Sequence, residues 1–180
     1  MTKENKNIIR KILSEIFNIR IGKVLPRHST KFAKEHLGDK EIRAIEVGVA
    51  DGRNAASILK ELNIRHIYLI DSYEDKNYSI ENAKEGLRKH NHKITWIIKK
   101  SSEAFRGLPE ADFIYIDGNH DYEFAKEDMI NYWKVLKKGG IMAGHDINNN
   151  DTGVAKAFFE FCNENKLEPI ISGTDWWVIK

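Results

Sequence analysis

From residue 41 onward, short and nearly continuous apolar runs alternate with longer segments whose apolar residues recur at three- and four-residue intervals. Runs of the first kind suit strands buried on both faces, and segments of the second kind suit helices with one face on a core. The runs predict strands over Ile42 to Val47, His66 to Ile70, Thr95 to Ile98, Phe113 to Ile116 and Ile141 to Ala143. Helices are expected between and after them, over Asn54 to Leu62, Ser79 to His90, Ser102 to Gly107, Tyr122 to Leu136 and Gly153 to Asn163. The end of the chain differs, because Pro169 to Ile171 and Trp176 to Ile179 are separated only by a short polar stretch around Ser-Gly-Thr-Asp. That is too short for a crossover, so these two strands must pair antiparallel. The expected fold class is therefore α/β: a doubly wound, mostly parallel seven-stranded sheet with a C-terminal antiparallel hairpin.

Ahead of this pattern, Ile8, Ile9, Ile12, Leu13, Ile16, Phe17 and Ile19 mark an amphipathic helix, and Ser29 to Leu37 a second one stopped by Gly38. Residues 1–40 read as a helical N-terminal extension, a lid or a dimer contact with a second copy of the chain, and residues 41–180 as the domain proper. The net charge of +2 hides an asymmetry, since residues 1–40 hold ten Lys or Arg against four Asp or Glu. A basic arm of this kind can meet an anionic partner, but six excess charges over forty residues are more simply a solvated helix face. Nucleic acid is accordingly not the expected partner. No run approaches the roughly 20 apolar residues of a membrane helix. The single cysteine, Cys162, cannot form an internal disulfide and lies in the apolar segment VAKAFFEFC. A cytoplasmic protein without a membrane partner is expected.

Candidate chemistry gathers at the strand ends. The turn after the first strand reads IEVGVADG, with Gly48 and Gly52 four residues apart and a helix beginning beyond them. Glycines let a ligand approach the backbone, and the amides of such a turn can bind a carboxylate or phosphate. The Gly-x-Gly-x-x-Gly pattern of a dinucleotide site is absent, which argues against a pyrophosphate ligand. Asp71 ends the second strand, 25 residues after Glu46, where a carboxylate could accept both hydroxyls of a ribose or merely cap the next turn. The fourth strand runs into IDGNHDY and the fifth into AGHDI. In a doubly wound sheet both ends open onto one crevice, so Asp117, His120, His145 and Asp146 should crowd a single site. Two carboxylates and two imidazoles suit a divalent cation, which lowers the pKa of a bound alcohol much as it does that of water.

On these residues, positions 41–180 resemble a class I S-adenosylmethionine-dependent methyltransferase, Rossmann-like in fold. The resemblance rests on the Glu-x-Gly-x-x-x-Gly turn and on five strand–helix units closed by the antiparallel pair. It implies that Glu46, Gly48, Gly52 and Asn54 line the methionine side of the cofactor. Asp71 would hold the ribose, and Ser102 and Glu103 would contact the adenine, although a Ser-Ser-Glu turn is also an ordinary helix cap. Asp-x-x-His after the fourth strand resembles the metal-dependent sugar O-methyltransferases of macrolide pathways. By that likeness Asp117 lies beside the cofactor and binds the metal, and His120 is the general base. Catechol and caffeoyl-CoA O-methyltransferases look like more distant relatives, with a lysine at the position of His120. One departure stands out, since those relatives carry two adjacent oxygen ligands after the fifth strand where this chain has His145-Asp146. The implied cation is magnesium or manganese; with His145 as a ligand beside Asp117 and Asp146 the set would favour manganese, zinc or iron, and otherwise His145 is no ligand and the pair only hydrogen-bonds the following loop. The acceptor would be a small molecule with a hydroxyl, perched among Tyr73, Tyr78, Tyr122, Trp176 and Trp177, with Trp177 facing inward if Trp176 faces out. An RNA methyltransferase and a non-catalytic S-adenosylmethionine-binding module are the alternatives.

Overall fold

In the computed structural model, which describes residues 25–148 and 153–180, the strands form one sheet in the order β3-β2-β1-β4-β5-β7-β6. The strands are β1 (Ile42–Val47), β2 (Ile64–Ile70), β3 (Ile94–Ile97), β4 (Ala111–Ile116), β5 (Leu136–Gly144), β6 (Ile170–Ser172) and β7 (Asp175–Ile179). Pairing is parallel from β3 through β5, while β7 runs antiparallel to both β5 and β6. The helices are α1 (His28–Leu37), α2 (Arg53–Glu61), α3 (Ile80–Gly86), α4 (Ser101–Ala104), α5 (Tyr122–Lys134) and α6 (Val154–Asn165). The expected α/β class and hairpin are thus what the chain forms. Among the described residues no helix is long and apolar enough to cross a membrane.

The largest departures from the expected elements are at β5 and α3. β5 begins at Leu136, five residues early, because its first residues, although Lys- and Gly-rich, still find a ladder partner: Leu136 pairs with Ala111. The expected helix to His90 stops at Gly86 and continues as a 3₁₀ turn over Arg88–Lys93, a stretch with no buried residue to hold a longer helix on the core. The amphipathic segment of residues 8–19, and with it the lid or dimer contact, lies outside the described residues. α1 itself is no separate arm. Ala33 is fully buried, Phe32 packs on Trp177 with ring centroids 5.2 Å apart, and Ser29 donates from its N–H and Oγ to Asp175 Oδ2.

Both faces of the sheet are covered. One carries Ile45, Ile114, Met142 and Trp176 against α5 and α6, and the other carries Ala44, Phe113, Tyr115 and Trp177 against α1 and α2. Trp176 and Trp177 therefore point to opposite faces, as strand neighbours must, yet both are buried. This corrects the expectation that either walls an acceptor pocket. Trp176 lies across Gly144, where any side chain would overlap the indole.

On α5, Asp128 is only 2% exposed, and burial pushes its carboxyl up to about 6, with the Ser101 hydroxyl bond opposing and the Glu127 charge adding to the rise. A carboxyl whose native pKa exceeds its unfolded value binds its proton more tightly when folded. Its contribution to stability is complete below the unfolded value and is lost as pH rises through about 6. Asp128→Asn should therefore be more stable than the parent at pH 7.5 by about 2 to 3 kcal/mol, and the gap should close near pH 4. Urea unfolding of both proteins across that range is the check.

Candidate active site

A cavity of about 730 Å³ opens at the carboxyl ends of β1, β2, β4 and β5. Its floor is the glycine turn. Gly48 takes φ +82°, and a Cβ there would overlap the Asp117 carbonyl, so the first and fourth strand ends touch only because the side chain is missing. The turn's amides are otherwise occupied than expected. Asp71 Oδ2 accepts from Val49 and Ala50 N–H, both at 2.9 Å, and Asp71 Oδ1 accepts from Tyr73 N–H at 2.7 Å. Gly48 N–H donates to Ile70 and Gly52 N–H to Val49. These amides cannot serve a ligand phosphate, because a carboxylate of the protein already fills that place. Three of about four acceptor positions on Asp71 are used by backbone. Asp71→Ala should cost about 2 kcal/mol of stability by stranding these donors, visible as a lowered melting temperature before any ligand is added.

Glu46, Gly48, Gly52 and Asn54, expected on the methionine side of a cofactor, lie together along the cavity or at its edge. Glu46 is 1% exposed and its Oε1 accepts from Asn54 Nδ2 at 3.0 Å, while Gly52 caps α2. Asn54 Oδ1 and the Tyr73 hydroxyl are buried atoms without a hydrogen-bond partner, and both residues line the cavity. Burial, followed by the nearby charge of Asp71, raises the Tyr73 phenol and keeps it protonated. A donor and an acceptor left open beside a glycine cradle fit a polar, amino-acid-bearing cofactor such as S-adenosylmethionine. Ser101 and Ser102 line the far end of the cavity, but Glu103 does not. It lies on a separate groove beside Trp96, since successive residues of one helical turn diverge by about 100°.

The strand ends of β4 and β5 bring Asp117, His120 and Asp146 together. His120 Nε2 stands 3.3 Å from Asp117 Oδ1 and 3.2 Å from Asp146 Oδ2. One ligand atom from each of the three falls within 4.8 Å of the others, the geometry a single cation needs. His145 is displaced from the expected ligand set. Its Nδ1 faces Asp146 Oδ2 at 3.2 Å and its Nε2 faces Thr174 Oγ1 at 2.7 Å, so both ring nitrogens are engaged.

Of the expected acceptor-wall aromatics, Tyr73 and Tyr78 line the cavity, whereas Tyr122 turns away to donate to Glu160. Phe124, 51% exposed at the cavity rim, takes the place assigned to Tyr122. Spacing held the signal, because residues two apart on a helix point in different directions. Arg27 is the other residue at the site without a sequence signal. It is 4% exposed, with Nη2 3.9 Å from Asp117 Oδ2, and its Nε and Nη2 have no hydrogen-bond partner. Nothing in the local sequence separates this arginine from the other cations of the basic segment.

A family profile described as "Methyltransferase domain" matches residues 45–147, more than half of the chain, a span that holds Glu46, Asp71, Asp117, His120 and Asp146. The chain belongs to that family. It is a class I S-adenosylmethionine-dependent methyltransferase in fold and in cofactor turn. Solved structures agree in architecture. The TDP-rhamnose 3′-O-methyltransferase of calicheamicin biosynthesis superposes with a TM-score of 0.65 at 15% identity, over 99% of this chain and 95% of that one. An S-adenosylmethionine-dependent O-methyltransferase from Thermotoga maritima gives 0.65 at 16%, over 93% and 69% of the two chains. An rRNA methylase from Streptococcus thermophilus gives 0.63 at 14%, over 86% and 96%. At such identities the likeness is one of fold. No curated protein matches this methyltransferase by sequence.

Proposed function

We propose that the chain methylates a hydroxyl of a small molecule, with Asp117 and Asp146 holding a divalent cation and His120 taking the hydroxyl proton. The observation that carries this reading is the meeting of Asp117, His120 and Asp146 at the rim of the cofactor cavity. S-adenosylmethionine supplies a methyl group already activated by its sulfonium charge, and a bound cation supplies orientation and acidification of the alcohol. What remains for the protein is alignment and removal of one proton. Glu46, Asn54, Asp71 and Ser102 would hold the cofactor, and Tyr78 and Phe124 give the acceptor an aromatic rim. Two carboxylates as the protein's ligands suit magnesium or manganese, and only an imidazole in the ligand set would turn the preference to manganese, zinc or iron. The lone cysteine, Cys162, is buried and its thiol is pushed up to about 11 by that burial, which suits a core residue and not a nucleophile.

A second reading of His120 has its own support. Its Nε2 is within reach of both carboxylates, so it could be the third ligand of the cation in place of a base. Binding of S-adenosylhomocysteine and of Mn²⁺, each followed by calorimetry on the parent protein, tests the whole proposal. Tight binding of the first and cavity-dependent binding of the second are expected. Failure of S-adenosylhomocysteine to bind would remove the cofactor reading at its root.

A further inference from the structure

The turn between β6 and β7 is fastened to the loop that carries Asp146. Ile147 N–H donates to the Thr174 carbonyl, the Asn148 side-chain amide to the Gly173 carbonyl and Trp176 Nε1–H to the His145 carbonyl, each at 3.2 Å. On its other side the same turn is anchored to α1 through Asp175, which accepts from Ser29. Within this frame runs a chain of side chains, Thr174 Oγ1 to His145 Nε2 at 2.7 Å and His145 Nδ1 to Asp146 Oδ2 at 3.2 Å. Asp146 itself has φ +60°, a left-handed conformation that a non-glycine residue keeps only where its surroundings over-determine it.

We propose that Thr174 and His145 are positioning residues that aim the Asp146 carboxylate at the cation. The inference rests on the reading that Asp117 and Asp146 hold that cation. Its proton logic follows from the partners. A carboxylate only accepts, so His145 Nδ1 carries the hydrogen that faces Asp146. In the tautomer with its hydrogen on Nδ1 the other nitrogen is an acceptor, and the Thr174 hydroxyl donates to it. The hydroxyl thereby fixes the tautomer, and the tautomer fixes the donor that holds Asp146. Without the hydroxyl the ring can carry its proton on Nε2 instead, and Asp146 loses that donor. The same arrangement explains why His145, expected as a ligand, stands outside the ligand group: both of its nitrogens are spent. Thr174 is exposed at the hairpin turn, so changing it leaves the core untouched.

The test is a Mn²⁺ titration of the full chain without cofactor, with free Mn²⁺ read by electron paramagnetic resonance. Thr174→Val should weaken Mn²⁺ about tenfold, and Thr174→Ser, which restores the hydroxyl, should bind like the parent. Affinity for S-adenosylhomocysteine and the melting temperature should be the same in all three. Equal Mn²⁺ affinity in parent and Thr174→Val overturns this inference alone, as does a Thr174→Ser protein as weak as the valine variant. A parent that binds no Mn²⁺, or binds it undiminished after Asp117→Asn, overturns the cation reading and this inference with it. Nitrogen-15 resonances of the parent's His145 ring provide an independent readout. The Nδ1–H tautomer is expected, and an Nε2–H ring would contradict the chain of donors.

Discussion

Gly48→Ala is expected to abolish cofactor binding and to destabilise the fold by about 3 kcal/mol, combining the left-handed penalty with overpacking. The backbone at Gly48 has φ +82°, and the added methyl would occupy the space of the Asp117 carbonyl. Either β1 and β4 separate at their carboxyl ends, or the peptide at position 48 rotates. In the first case the Asp117 N–H loses its bond to the Val47 carbonyl. In the second, the Val49 and Ala50 amides leave Asp71. Both routes dismantle the cavity floor, and the first also moves Asp117, so the cofactor site fails by either route and the cation site with it by the first. Urea unfolding gives the stability, and calorimetry with S-adenosylhomocysteine and Mn²⁺ gives the two affinities. An alanine variant with parental affinity for both would show that the floor is not where the ligands lie.

His120→Ala should lower turnover by about 10²- to 10⁴-fold while leaving affinity for S-adenosylhomocysteine unchanged. His120 is 39% exposed at the cavity rim, so its loss opens no hole in the core. The Mn²⁺ affinity of the same variant separates its two roles. A base can be removed without disturbing the cation, whereas a third ligand cannot. Retained Mn²⁺ binding with lost turnover makes His120 the proton acceptor, and loss of both makes it a ligand. Unchanged turnover would make the Asp-x-x-His segment structural.

Much of this site can be read from sequence because strand ends are easy to place. An apolar run such as ADFIYI followed by Asp-Gly-Asn-His fixes where Asp117 must emerge, and the doubly wound order brings Asp146 to the same edge. Asn54 against Glu46 follows in the same way, since one ends β1 and the other opens α2. What escapes the sequence is partnership. Asp71 has the position of a ribose ligand, yet its carboxylate also organises the turn that precedes it in sequence by some twenty residues. His145 has the chemistry of a ligand, and the contact of its Nε2 with Thr174 from the hairpin is a tertiary fact that its own segment does not announce. Trp176 and Trp177 read as pocket aromatics in sequence because alternation distinguishes two faces but not whether both are covered. Arg27 was hidden by its neighbours, since burial of one cation among ten is a tertiary fact.

The most direct measurement follows the methyl group itself. The protein is incubated with Mn²⁺, S-adenosylmethionine labelled with carbon-13 on its methyl, and a panel of sugar, catechol and other hydroxyl-bearing acceptors, with ribosomal RNA as a separate arm. Products are read by carbon-13 resonance and mass spectrometry. A labelled methyl ether on a small molecule is expected, formed together with S-adenosylhomocysteine and lost in His120→Ala. Label appearing on a nitrogen, or on RNA in preference to every small hydroxyl acceptor, would contradict that expectation.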